Sequence, residues 1–186
     1  AERRLFEGER HYTQALAREG AGQPAAALAE AQRAVDAGGG RDARLLAAAI
    51  AIGAGELDVA SGHLAAILAL DADDADAIYD SALVADRRGD YNGAREGYLT
   101  TLRSAPAYAA ARYNLAALTW RRGVTAEALH HVALFQRDYP ADPRGAELRV
   151  VQVRLAFAQR RRDRPAGHQP QEQLRQPGER ERVARG

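Results

Sequence analysis

At 186 residues the chain has length for one domain or two. Half of its hydrophobic share of 46% is alanine, which buries little area per residue, and only 6% of residues are aromatic. With no cysteine, disulfides and thiolate metal sites are excluded. The formal net charge is +1, from 26 basic and 25 acidic side chains. The basic ones are all arginine, and from Arg160 onward eight arginines face four acids, so a mildly acidic body precedes a basic tail.

Residues 2–18 read as a helix with Leu5, Tyr12 and Leu16 as its larger side chains. Gly20-Ala21-Gly22-Gln23-Pro24 breaks it, and 24–37 is a second helix with Leu28, Ala31, Ala34 and Val35 at helical spacing. After Gly38-Gly39-Gly40 the same order repeats: helices over 41–54 and 57–70, then 76–88 and 91–104, then 109–122 and 125–138. Pro106 and Pro140 close the last two pairs, since proline cannot continue the hydrogen-bond ladder. A single helix over 143–159 follows, with Leu148, Val151, Val153 and Leu155 but no turn glycine and no second helix. The segment 160–186 holds Pro165, Pro170 and Pro177 and almost nothing apolar, so it is expected to be disordered in isolation.

The pairs are one unit written four times. Gly89 and Gly123 are 34 apart, as are Ala82 and Ala116, Ala94 and Ala128, and Pro106 and Pro140. A fixed period of about 20–50 residues marks a stacked repeat. Three columns align in all units: turn glycines Gly22, Gly55, Gly89 and Gly123; first-helix Ala15, Ala48, Ala82 and Ala116; second-helix Ala27, Ala60, Ala94 and Ala128. Glycine lets the chain turn back through a left-handed conformation, and alanine lets two helices approach.

This pattern resembles the tetratricopeptide repeat, carried here by Ala82, Gly89, Tyr91, Ala94, Tyr98 and Pro106, with Ala116, Gly123, Ala128 and Pro140 in the next unit. The first unit fits least well. The resemblance implies an all-α, right-handed α-solenoid over residues 1–159. Its repeats are at about 8–40, 41–74, 75–108 and 109–142, a C-terminal capping helix covers 143–159, and a basic tail covers 160–186.

The acidic run from Asp71 to Asp76 invites a calcium loop, but Asp76 and Ala82 stand where glycine and a bidentate glutamate are needed. The run reads instead as an inter-repeat turn with an aspartate capping the next helix. Adjacent His130 and His131 point about 100° apart and cannot share a metal, and His63 in the same column as His131 reads as a surface position. No phosphate loop, nucleophile elbow or carboxylate pair can be placed, so no catalytic residue, cofactor, metal or small-molecule substrate is expected. The arginines after 159 lack interleaved aromatics, which disfavours nucleic acid.

By the resemblance, the first helices line a concave face that holds a partner segment. That face collects Tyr12, Leu16, Leu45, Ile52, Asp76, Tyr79, Asp80, Leu83 and Arg87. From the fourth unit it adds Tyr113, Asn114, Trp120 and Arg121. Tyr12, Tyr79 and Tyr113 share one column with Leu45, and Tyr and Trp are the usual anchors of binding surfaces. The expectation is a non-enzymatic scaffold or adaptor whose partner is a protein or peptide with basic and aliphatic residues. The absence of lysine and the wealth of alanine suggest a bacterial source, and such modules serve envelope, pilus and motility assemblies. The alternative is a structural module that self-assembles through its terminal repeat surfaces into a homo-oligomer. No run of about 18 apolar residues and no signal peptide is visible. The chain reads as soluble, cytoplasmic or periplasmic, with a removed signal or lipid anchor left open.

Overall fold

The computed structural model describes residues 2–162, and every regular element among them is an α-helix. Helix α1 (Glu2–Gly20) pairs with α2 (Pro24–Asp36), α3 (Gly40–Ala54) with α4 (Leu57–Leu68), α5 (Ala75–Arg87) with α6 (Tyr91–Ser104), and α7 (Ala109–Arg121) with α8 (Thr125–Asp138). A single helix, α9 (Arg144–Arg162), follows. Each helix packs on its neighbours in the chain, and first helices also meet, α1 with α3, α3 with α5 and α7 with α9. Such nearest-neighbour packing is an all-α solenoid.

The helix reversals are the same device used four times. Gly22, Gly55, Gly89 and Gly123 have φ of 69°, 82°, 78° and 75°, a region that costs glycine nothing. At each, the following residue's N–H reaches back over the helix end, as from Asp90 to Ala85 O at 2.9 Å and from Val124 to Thr119 O at 3.0 Å. These bonds satisfy carbonyls the helix leaves open. Asp74 starts α5 by accepting from the Ala77 N–H at 2.9 Å, and Asp90 starts α6 by accepting from Gly93 N–H at 2.9 Å.

The alanine columns form the helix-to-helix seams. Ala15, Ala48, Ala82 and Ala116 are buried, as are Ala27, Ala60, Ala94 and Ala128. Larger side chains fill the space between pairs: Leu64, Ile67 and Val84 between the second and third, Tyr98, Leu115 and Leu118 between the third and fourth. Val132, Phe135 and Leu148 bring α9 against α8.

Two expectations change. His63 and His131, read as surface positions, are both only 7% exposed, and their Nδ1 atoms have no hydrogen-bond partner. Their column faces the first helix of its own pair. In the third pair it holds Gly97, where an added Cβ would fall 2.6 Å from the Ala82 Cβ. Burial therefore holds both imidazoles below their ordinary pKa, and His131, with His130 beside it, is lowered to about 4. The last helix also runs on to Arg162, so the arginines at 160–162 belong to α9, and the rest of the expected tail lies outside the described residues. No helix among the described residues is long and apolar enough to cross a membrane.

Candidate functional site

The side chains expected on the concave face divide into two groups. Toward the N-terminal end, α1, α3 and α5 carry Tyr12, Leu45, Asp76 and Asp80 around an open depression of ≈ 300 Å³, completed by Asp42, Leu46, Ala49 and Tyr108. A second hollow of ≈ 630 Å³ adjoins it through Tyr12 and Asp42 and extends over Gly8, Glu9 and the glycine turn 38–40.

Charge in this half is unevenly compensated. The Arg41 guanidinium donates to Asp74 at 2.5 and 3.1 Å and to Asp76 at 2.6 Å. Bonding from Arg41 outweighs burial and keeps the Asp74 carboxylate below its ordinary pKa. The Tyr108 hydroxyl donates to Asp76 at 2.9 Å, and burial followed by that bond holds the phenol ionised only far above its usual range. Asp80 is half-buried and makes no hydrogen bond or ion pair among the described residues. Burial, reinforced by Asp76 and then Asp74, pushes its pKa up to about 6. An aspartate in that state is poised to accept a positive charge, because a cation beside it would remove the cost of ionising it.

Toward the C-terminal end the expected groove side chains are engaged with each other. Tyr79 is half-buried, its ring 4.9 Å from Tyr108 and 6.0 Å from Tyr98, and its hydroxyl accepts from Asn114 Nδ2 at 2.9 Å. Arg121 donates to both carboxylate oxygens of Asp86 at 2.7 Å. The Tyr113 hydroxyl donates to Glu147 of α9 at 2.5 Å, with Phe135 and the Arg144 guanidinium against its ring. Trp120, expected on the open face, stands partly buried against the cluster of Ala128, Val151 and Leu155. The physical reason is α9, which covers the end of the fourth pair and presents an apolar side to the indole. Leu83 belongs to the core on both of its sides, Ile52 is buried, and Leu16 is 45% exposed. Arg87 is exposed and makes no polar contact among the described residues.

Sequence reasoning passed over Arg41 and Tyr108, which hold the acidic half together. A signal for them exists. Arg41 to Asp74, Asp76 to Tyr108, Asp86 to Arg121, Arg95 to Glu127 and Tyr113 to Glu147 are separated by 33, 32, 35, 32 and 34 residues. Complementary polar residues about one period apart are thus the inter-repeat contacts, and scanning for them along the chain would have found both residues.

No family model matches the chain, and no curated protein aligns with it. Solved structures do. MamA residues 41 to the end from Desulfovibrio magneticus RS-1 superposes with a TM-score of 0.64 at 17% identity, covering 73% of this chain and 77% of that one. YrrB, described as a TPR protein with an unusual peptide-binding site, gives 0.62 at 14% identity over 76% and 74%. PilW, a type IV pilus biogenesis factor, gives 0.66 at 15% identity over 76% and 66%.

Proposed function

On a fold that is that of the tetratricopeptide-repeat proteins, we propose that this chain is a non-enzymatic protein-interaction scaffold. Its N-terminal groove half takes an extended or helical partner segment with an arginine or lysine beside aliphatic residues. One observation carries this reading: Asp80 lies in an open depression between Leu45, Leu46 and Tyr12, and no side chain of the described residues neutralises it. The aliphatic floor offers burial for apolar side chains, and the carboxylates of Asp42, Asp76 and Asp80 offer a guanidinium or ammonium its counter-charge. The peptide-binding site of YrrB and the pilus role of PilW are consistent with this kind of work, and they suit a place in a bacterial surface assembly.

The test is calorimetric titration with a short peptide of alternating leucine and arginine, and with a twin in which glutamate replaces arginine. The arginine peptide should bind, the glutamate twin should not, and Asp80→Arg should weaken the arginine peptide by about tenfold or more. Equal affinity for both peptides, or for wild type and Asp80→Arg, refutes the reading.

A further inference from the structure

Helix α9 stands where a first helix stands. As α3 packs on α2 and α1, and α5 on α4 and α3, so α9 packs on α8 and α7. Glu147 falls 34 residues after Tyr113 and bonds to it. In that register Val150 follows Ala48, Ala82 and Ala116, and Val153 follows Ala51, Ala85 and Thr119. In the complete pairs the Val150 position is covered throughout, with Ala15, Ala48 and Ala116 0% exposed and Ala82 2%, while the Val153 position is buried at Ala51 and Thr119, partly buried at Ala85 and exposed at Arg18. On α9 the same positions are open, with Val150 54% and Val153 69% exposed, while Leu148, Val151 and Leu155 on the other side are buried. The helix is therefore apolar on two opposite sides, and only one is covered. Ala146, Val150 and Val153 are spaced four and three residues apart, the spacing of a helix-to-helix seam.

We propose that this outer face of α9 docks an amphipathic helix of another protein. The helix lies antiparallel to α9 as the second helix of a fifth repeat, with acidic residues beside its aliphatic stripe.

Three observations select that occupant. The partner is a helix because a second helix packs over the Val150 position in each complete pair, burying Ala15, Ala48, Ala82 and Ala116. Its flanks are acidic because exposed Arg149 and Arg154 border the valine stripe on its two sides. A second α9 and residues 163–186 both suit the face poorly. A second α9 laid antiparallel with its stripe centred on this one would bring Arg149 against Arg149 of the copy, like charge against like. Residues 163–186 carry Pro165, Pro170 and Pro177, and their only large aliphatic side chains are Leu174 and Val183. This inference is independent of the groove.

The experiment uses the full chain and a synthetic helical peptide with leucine and alanine at heptad spacing flanked by glutamates. A twin has lysine for glutamate, and binding is followed by calorimetry. The glutamate peptide should bind and the lysine twin should bind at least about tenfold more weakly. Val150→Glu with Val153→Glu should abolish binding while leaving helical circular dichroism unchanged, since both positions are exposed. Arg149→Glu with Arg154→Glu should reverse the preference, and Asp80→Arg should leave it as it is. Equal binding by the valine double variant, no preference between the twins, or no binding would overturn the proposal. So would a concentration-dependent dimer in sedimentation that the valine variant loses, because a second copy would then occupy the face.

Discussion

Replacing Asp80 by asparagine should make the protein more stable and a poorer binder. The carboxyl has an ordinary pKa of 3.8 and is pushed up to about 6 in the folded chain. A rise of that size corresponds to about 3 kcal/mol of destabilisation once the group is ionised, at roughly 1.36 kcal/mol per unit. Asp80 is only half-buried, so solvent screening reduces this to about 1–2 kcal/mol. The sign follows from proton counting. Between pH 4 and 6 the folded chain holds a proton that the unfolded chain has lost, so wild-type stability falls as pH rises through that window. Asparagine carries no such penalty. The Asp80→Asn advantage should therefore be full above pH 6 and vanish below pH 4. Urea denaturation of both proteins at pH 7.5 and 3.5 reads it directly, as a difference in which all other titrating groups cancel. A variant no more stable than wild type at pH 7.5, or an advantage independent of pH, refutes the picture of an uncompensated carboxylate.

Three further substitutions probe packing and protonation elsewhere. Gly62 lies in the interior of α4 with nothing within 4 Å of an added Cβ, so Gly62→Ala should stabilise by about 0.5–1 kcal/mol. Gly97→Ala should instead cost about 1–2 kcal/mol despite the same gain in helix propensity, because its Cβ would meet the Ala82 Cβ at 2.6 Å and neither atom can rotate away; paired urea midpoints check the opposite signs. His131 is lowered to about 4 against an ordinary 6.5, so its contribution is intact above pH 6.5 and lost as pH falls toward 4. His131→Leu should accordingly flatten the acid side of the stability curve, and an unchanged slope between pH 6.5 and 4 in urea titrations would count against it.

What was legible in the sequence is what a repeat must restate in every unit. The glycines at 22, 55, 89 and 123 recur because each reversal needs the same positive φ. The alanine columns recur because each seam needs the same close approach. Tyr12, Tyr79 and Tyr113 share a column too, yet the sequence could not say which would stay open. That depends on the neighbouring unit. Tyr79 meets Tyr108 and Asn114 from the fourth pair, Tyr113 meets Glu147 from α9, and Tyr12 faces the hollow beside Asp42. The histidines misled for a related reason. Their column also holds Gly97, and variable size at a position signals a seam of varying width as readily as a free surface.

This division bears on where function can reside. A side chain that bridges two repeats is part of what orders the stack, so removing it changes the spacing of its neighbours as well as the surface it presents. Tyr79→Ala would open a gap between α5 and α7 and free the Asn114 amide, and lost binding in that variant would not distinguish a contact from a collapsed scaffold. Asp80, Val150 and Val153 are different. They make no polar bridge between repeats, the valines are exposed, and the substitutions proposed for them leave the seams alone. In a stack where each unit contacts only its neighbours, the acidic hollow of the first three pairs and the outer face of α9 share no contacts. Ligands at the two should therefore bind additively, and an affinity in the hollow that shifts when the α9 face is filled would show that the stack transmits strain along its length.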